Sequence, residues 1–446
     1  NREILAPSSL VSGDDPEEVA HRLAEADAGA QAPAVPTTAE MCGGIAAAYA
    51  DGTSRTAAVY FPGLHAHGGA ERTAMGLARA MTDAGWAVTM YTTGDEVRGI
   101  DRAFGEGRSL HGVQLVVLPD ADMPGLPSEL ARVVTVLRHA HRIRAARHDL
   151  MINAKYKSTL PGCGHRSVYY VHFPQPLAAP VSGVLRRGYM AACAALERVL
   201  VRKGSRGFLD TYDEIWANSS FTATNVRLRW RRSAAVVHPP CDPMTPGEKK
   251  HVIAVVGRFQ APAPHTPYKS QDVLIDVFRG LTDLHDEGWQ LVLAGGTGSK
   301  DDAYLDSLRK AAGEAPITFM PNATQQEVAH LLGAATLYWH AQGYGADAAR
   351  EPQTQEHFGI SVVEAMSAGA VPLVFGQAGP AEIVAGTGIA PWSSRDELVQ
   401  RTRELARADA DALQTLSASV RARAAYFSPD EFGRRVCELI GGSDAE

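Results

Sequence analysis

Two glutamates, Glu356 and Glu364, stand eight positions apart in the run EHFGISVVE, which continues into AMSAGAVPLVF and QAGPAE. His357 to Ile360 reads as a tight turn at the mouth of an α/β domain, and Ser361 to Ala368 as a helix behind it. Glu364 then lies inside the helix and Glu356 outside it. The N–H groups of such a turn and of the first helical turn have no intrahelical partners, so together with the helix dipole they suit a diphosphate. Phe358, Gly359, Ile360 and Ser361 are the residues that would meet it. A carboxylate accepts two hydrogen bonds at once, so one glutamate fits a ribose diol and the other fits sugar hydroxyls. This is the chemistry of a sugar nucleotide. Gly359, Gly369, Gly379 and Pro380 punctuate the stretch too regularly for a plain solvated turn.

Further residues fit the same ligand. The first β-rich run leads into FPGLHAHGGAER, where Gly68 and Gly69 precede a helix starting near Ala70. A turn without side chains lets backbone approach a phosphate. Arg72, just inside that helix, either touches an acceptor or pairs with a neighbouring acid. Arg258 follows a second β-run and Lys269 precedes the apolar helix DVLIDVF. Moving a group off a nucleotide develops negative charge on the leaving diphosphate, which preorganised cations stabilise by on the order of 3 kcal/mol each. His172, in YYVHFPQP, ends a strand before a proline loop, a place where burial within a strand is not expected and where a structural histidine is common. Lys155 and Lys157 read as solvated or acceptor-facing, and Asn218 and Ser219 as either capping groups or ligand contacts. Asp301, Asp302 and Asp347 read as solvated, and no histidine cluster points to a metal.

The elements that must hold these residues alternate. β-rich runs fall at Ala57 to Phe61, Ala87 to Thr92, Gln114 to Leu118, Asp149 to Asn153, Ser167 to Phe173, Glu214 to Ser220 and Ala235 to Pro240, with helical patterns between them. A second series runs through Val252 to Phe259, Trp289 to Gly296, Pro316 to Pro321, Thr336 to Ala341 and Val371 to Phe375. Strands separated by helices give parallel, doubly wound sheets, so the expected class is α/β with two Rossmann-like domains facing across a cleft. The expected division is an N-terminal extension over 1–54 with a short acidic helix from Pro16 to Ala28, an acceptor-side domain over 55–245, a nucleotide-sugar domain over 246–426 and a C-terminal helix over 427–446. The proline-rich stretch Pro239 to Lys250 is the expected hinge.

Composition is consistent with this division. At 446 residues, 45% hydrophobic and 21% charged, the chain suits two globular domains, and no apolar run approaches the roughly 20 residues of a membrane span. Five scattered cysteines without C-x-x-C spacing argue against a zinc site or a disulfide framework and for a reducing cytoplasm. The net charge of -7 divides unevenly: residues 55–245 carry 24 Lys+Arg against 15 Asp+Glu, or +9, leaving 19 against 35, or -16, elsewhere. Ala131 to His148 and Val226 to Arg232 are either ordinary solvated faces or a peripheral membrane contact on anionic lipid. No recognised module supports nucleic-acid binding.

The glutamate pair, VHPPCD (Val237 to Asp242), NSSFT (Asn218 to Thr222) and GGAER (Gly68 to Arg72) resemble the retaining glycosyltransferases of family 4, which have the GT-B fold, and within them the dolichol-pathway mannosyltransferases and their bacterial relatives. The resemblance implies retaining transfer of a hexose from a nucleoside diphosphate sugar, GDP-mannose first and a UDP-sugar next, to the hydroxyl of a small-molecule or lipid-linked acceptor. It implies catalytic roles for His172, Arg258, Lys269 and Glu356, with His172 facing the transferred sugar. Gly68, Gly69, Phe358, Gly359, Ile360, Ser361 and Glu364 would join Arg258, Lys269 and Glu356 in binding the donor. It also implies no metal or cofactor and a C-terminal helix that crosses back to the first domain. QAPAPHTPY between Arg258 and Lys269 is longer than the family's usual loop. A silent sugar-nucleotide-binding protein and a GT-B epimerase or phosphorylase are the rival readings.

Overall fold

The computed structural model describes residues 55–64, 68–94, 110–119, 125–176, 182–204, 206–263 and 266–441. The expected helix from Pro16 to Ala28 lies outside them, as do residues 442–446. Every β-run read from the sequence after Ser54 contains a strand. The first sheet holds β1 (Thr56–Tyr60), β2 (Ala87–Thr93), β3 (Val113–Leu118), β4 (Leu150–Asn153), β5 (Arg166–Val171), β6 (Glu214–Ala217) and β7 (Ala235–Val236), all parallel, in the order β3-β2-β1-β4-β5-β6-β7. The second holds β8 (Lys250–Val256), β9 (Gln290–Gly295), β10 (Ile317–Pro321), β11 (Ala335–His340) and β12 (Val371–Val374), also parallel, in the order β10-β9-β8-β11-β12.

The strand order reverses beside the first strand of each sheet: β1 lies between β2 and β4, and β8 between β9 and β11. Crossovers leave β1 and β4 toward opposite faces of the sheet, which opens a crevice at their carboxyl ends. Gly68 follows β1 and Arg258 follows β8, so the two sequence motifs lie just beyond the two switch points. The central strands β1, β4, β5 and β11 are buried on both faces, as parallel sheets flanked by helices require, while the edge strands β3 and β10 are partly open.

The chain crosses between the halves twice, and the crossings are joined: Cys241 N donates to Phe427 O at 2.9 Å. Beyond the second crossing, the helix Pro429–Gly441 lays Phe432, Val436 and Ile440 into the core of the first sheet. Their spacing of four puts them on one helical face. Arg166 accommodates the end of that helix, its guanidinium donating to Ile440 O at 3.0 Å and Leu439 O at 2.6 Å. The last helix thus ties the second sheet's end of the chain to the first.

Candidate functional site

Two helices meet across the cleft with their N-termini together. The helix Gly69–Asp83 begins one residue before the expected Ala70, and the helix Ile360–Ser367 one residue before the expected Ser361. The second shift has a local cause. Gly359 takes φ +115, a conformation that glycine adopts without penalty, and so turns the chain into the helix at once. Neither helix has a side-chain hydrogen bond at its N-cap, Gly68 or Gly359. A Cβ on Gly69 would stand 2.4 Å from Ile360 Cδ1, so glycine is what allows the two ends to touch.

Arg72 and Glu364 close the same contact from the two sides. Arg72 Nη1 donates to Glu364 Oε1 at 2.5 Å, and both side chains are largely buried. The pairing reading of Arg72 therefore holds, with the acid supplied by the other sheet. Burial alone would lower the Arg72 pKa, but the adjacent Glu364 carboxylate outweighs it and raises it. Arg72 Nε finds no hydrogen-bond partner among the described residues.

Glu356 is held by one cation and lies near one imidazole. It is paired with Lys269 Nζ, and His340 Nε2 at the end of β11 lies 3.7 Å from Glu356 Oε2. The latter distance is too long for a hydrogen bond, though the charge is felt across it. Burial pushes the Glu356 carboxyl up, while Lys269 and His340 more than offset this and hold it well below the usual carboxylate range. Lys269 reaches the pair by running its stem over Gly257, where a Cβ would meet Lys269 Cγ at 2.7 Å. The long QAPAPHTPY loop leaves Lys269 in place. Arg258 is exposed nearby, and both Arg258 and Glu356 act electrostatically on Tyr156, whose hydroxyl pKa is raised by burial first and by Glu356 second.

Tyr156, in the loop after β4, is stacked on His172 with ring centroids 5.9 Å apart. His172 corrects the sequence expectation. It follows β5 as expected but is only 6% exposed, because Tyr156 and Tyr170 pack on its ring and Ala154 O takes its Nε2 proton at 2.9 Å. A carbonyl can only accept, so Nε2 carries the hydrogen and Nδ1 is left as an acceptor. Burial lowers the His172 pKa to about 4, and the imidazole is neutral at pH 7.

The cleft floor is stapled by groups from both halves. Phe173 stacks on His357 at 4.1 Å between centroids, and Ser219 Oγ donates to His357 O at 2.5 Å. Ser219 also accepts from Thr222 N, so it is a helix cap and a cross-cleft contact in one residue. Glu382 accepts from Ser220 N at 2.9 Å, from Ser220 Oγ at 2.8 Å and from His238 Nε2 at 2.8 Å, another bridge between halves. Phe358 is buried against Phe427 at the crossing, and Ser361 Oγ accepts from Tyr338 OH at 2.8 Å, so these two expected donor contacts are fixed by the protein's own core.

The structure therefore gathers Gly68, Gly69, Gly359, Ile360, Glu364, Lys269, Glu356 and Arg258 around one place, with His172 on the facing side behind Tyr156. Sequence reasoning did not single out Tyr156, His340, Phe173 or Glu382. Tyr156 lay between the two lysines it did weigh, of which Lys157 is exposed. Asp347 accepts from Ala349 N at 2.8 Å, a local turn, and among the described residues no group of three or more His, Cys, Asp or Glu is placed to hold a metal.

Residues 67–244 match the family described as Glycosyltransferase Family 4, and residues 244–410 the family described as Glycosyl transferases group 1. The chain is 27% identical over 384 residues to the mouse GDP-Man:Man(3)GlcNAc(2)-PP-Dol alpha-1,2-mannosyltransferase, an alignment covering 74% of each chain. The human enzyme of the same name is 28% identical over 249 residues, 49% of this chain and 46% of that one. Among solved structures, Anabaena Alr3699/HepE in complex with UDP and glucose superimposes with a TM-score of 0.60 at 16% identity, covering 86% of this chain and 99% of that chain. WaaG, a glycosyltransferase involved in lipopolysaccharide biosynthesis, does so with a TM-score of 0.53 at 16% identity, covering 87% and 100%. These likenesses show the GT-B fold.

Two measurements test the site. His357, like His172, is pushed by burial to a pKa of about 4 from an ordinary 6.5. Between those values the unfolded chain binds more protons than the folded one, so stability is complete above pH 6.5 and is lost as pH falls toward 4. Each histidine accounts for up to roughly 3 kcal/mol of that loss. The Tm of wild type should fall more steeply over this window than that of His357→Gln, and parallel curves would refute the assignment. In the second, bare GDP is titrated into two variants. Glu364→Ala should weaken affinity by about tenfold or more, the scale of a lost hydrogen bond to a charged group. Glu356→Ala should leave affinity nearly unchanged and lower turnover. Equal affinity of wild type and Glu364→Ala would remove the ribose contact.

Proposed function

The chain belongs to the glycosyltransferases that join a family 4 domain to a group 1 domain, and on that premise we propose that it transfers mannose from GDP-mannose to a hydroxyl of a lipid-linked glycan, with retention at the anomeric carbon. The donor and acceptor follow the printed names of the mannosyltransferases it resembles. The observation that carries the reading is the meeting of two uncapped helix N-termini beside the Lys269–Glu356 and Arg72–Glu364 pairs.

In this reading the diphosphate lies at the joined N-termini, where N–H groups without intrahelical partners and both helix dipoles favour an anion. Glu364 takes the ribose diol and Glu356 the hydroxyls of the sugar. Arg258 and Lys269 stabilise the charge that grows on the leaving diphosphate. The C1–O bond to phosphate breaks, the acceptor oxygen bonds C1 from the same face, and the acceptor proton passes to a diphosphate oxygen, giving GDP and the mannoside. No enzyme base is needed for that proton, in keeping with a His172 held neutral behind Tyr156. His172 Nδ1 can instead accept from a hydroxyl and so position a sugar.

Transfer from GDP-mannose to a diphosphate-lipid-linked mannosyl glycan, followed by NMR of the new linkage, should give an α-mannoside. The rate should survive EDTA, because the protein's own cations meet the diphosphate. A β-linkage would exclude retention. Activity lost to EDTA and restored by Mg²⁺ or Mn²⁺ would exclude the cation roles, and activity with UDP-glucose alone would exclude the donor.

A further inference from the structure

The helix Val184–Leu196 and the π turn Glu197–Val201 that continues it are folded inside out. Along this element only Cys193, Glu197 and Val201 are buried, and Glu197, its one carboxylate, is 3% exposed. Leu185 is 91% exposed, Val184 77%, Val199 65% and Leu200 44%, with Tyr189 and Leu196 also open to solvent. Folding normally buries leucine and solvates glutamate. On a 3.6-residue period, Val184, Leu185, Leu196 and Val199 fall on the side away from the buried stripe, and the residues between them there are Gly188, Ala191, Ala192 and Ala195, while Tyr189, four residues before Cys193, flanks the stripe. The outward face is without charge. Arg187 and Arg198 are exposed along one margin of it, and Lys203 and Arg206 follow just beyond it.

This is not the surface that the sequence suggested. Within Ala131 to His148, Val133, Val136, Ala140 and Ile143 are buried in the core, and the large side chains which that helix exposes are Arg138, His141 and Arg142. The apolar face with a basic margin lies on the next helix.

Glu197 shows where this face stands relative to the cleft. Arg132 Nη1 donates to Glu197 Oε2 at 3.0 Å and to Thr159 Oγ1 at 2.6 Å. Thr159 belongs to the loop after β4 that carries Tyr156, and Tyr156 feels both Glu356 and Arg258. One half-buried guanidinium therefore links the outward-facing helix to the acceptor side of the site.

We propose that Val184–Val201 lies in the interface of an anionic lipid membrane, apolar face in the acyl boundary and arginines on the headgroups, and that it brings the cleft to a membrane-held acceptor. An uncharged face with a basic margin is the pattern that binds such interfaces. No described helix is long and apolar enough to cross a membrane, so the contact is one of docking on the surface. The role given to the acceptor rests on the lipid-linked substrate proposed above, whereas the docking itself does not.

The test is flotation of the full chain with vesicles of phosphatidylcholine alone and of phosphatidylcholine with phosphatidylglycerol. Wild type should float with the anionic vesicles, and the double variant Leu185→Asp/Val199→Asp should bind at least tenfold less. Both positions are exposed, so the variant should keep its Tm, its GDP affinity and its transfer to a water-soluble acceptor. Equal flotation of variant and wild type would overturn the proposal. So would a wild-type dimer that these substitutions dissolve without any vesicle binding, which would assign the face to a second copy. Flotation seen only after removal of the acidic residues 1–54 would assign it to that segment. If vesicles bind and GDP does not, the docking stands and the mannosyl-transfer reading falls.

Discussion

The site depends on one carboxylate held from across the cleft. Glu364 sits in the first α-helix beyond β11, and the group that fixes it, Arg72, belongs to the first described α-helix beyond β1. Taking two charges out of water costs several kcal/mol per ion, and their attraction offsets that only with good geometry. Such a pair is therefore poor evidence of stability and better evidence of a place where orientation matters. Removing one partner would leave the other buried and uncompensated. The geometry is possible because Gly69 lets the helix ends touch, and because both sheets present the carboxyl ends of their strands to each other.

Around that contact the charges are arranged to stay separated. Glu356 is kept ionised by Lys269 and His340 despite burial, while His172 and His357 are kept neutral by burial. A carboxylate that remains ionised can accept from two sugar hydroxyls, and a neutral imidazole with its Nε2 hydrogen already committed offers one acceptor and no competing positive charge. Positive charge is thus confined to Arg258, Lys269 and Arg72, on the side where the helix N-termini also converge. The closely packed residues beneath, Phe173 on His357 and Ser219 on its carbonyl, fix the distance between the two sets.

Much of this was legible in the sequence. Each of the twelve strands is a short β-rich run bounded by turn residues, so even the brief β7 could be found, and Glu356, Glu364, Gly68 and Lys269 are named by motif spacing. What could not be read were partners across the cleft. Nothing in the local sequence says that Arg72 meets an acid 292 residues away, or that His340 faces Glu356, because those contacts are set by how two sheets pack and not by periodicity. The burial of His172 was missed for the same reason, since Tyr156 comes from a different strand's loop. Helix Val184–Leu196 shows a related limit: an apolar face is visible in a sequence, but whether it turns inward or outward depends on the tertiary contact that buries Glu197.

The central claim is that Arg72 acts on the nucleotide only by holding Glu364, and a double-mutant cycle tests it directly. GDP is titrated calorimetrically into wild type, Arg72→Ala, Glu364→Ala and the double variant. The account predicts that Arg72→Ala weakens GDP in the wild-type background and changes nothing further once Glu364 is alanine. Losses that simply add would show Arg72 and Glu364 acting independently and would contradict it.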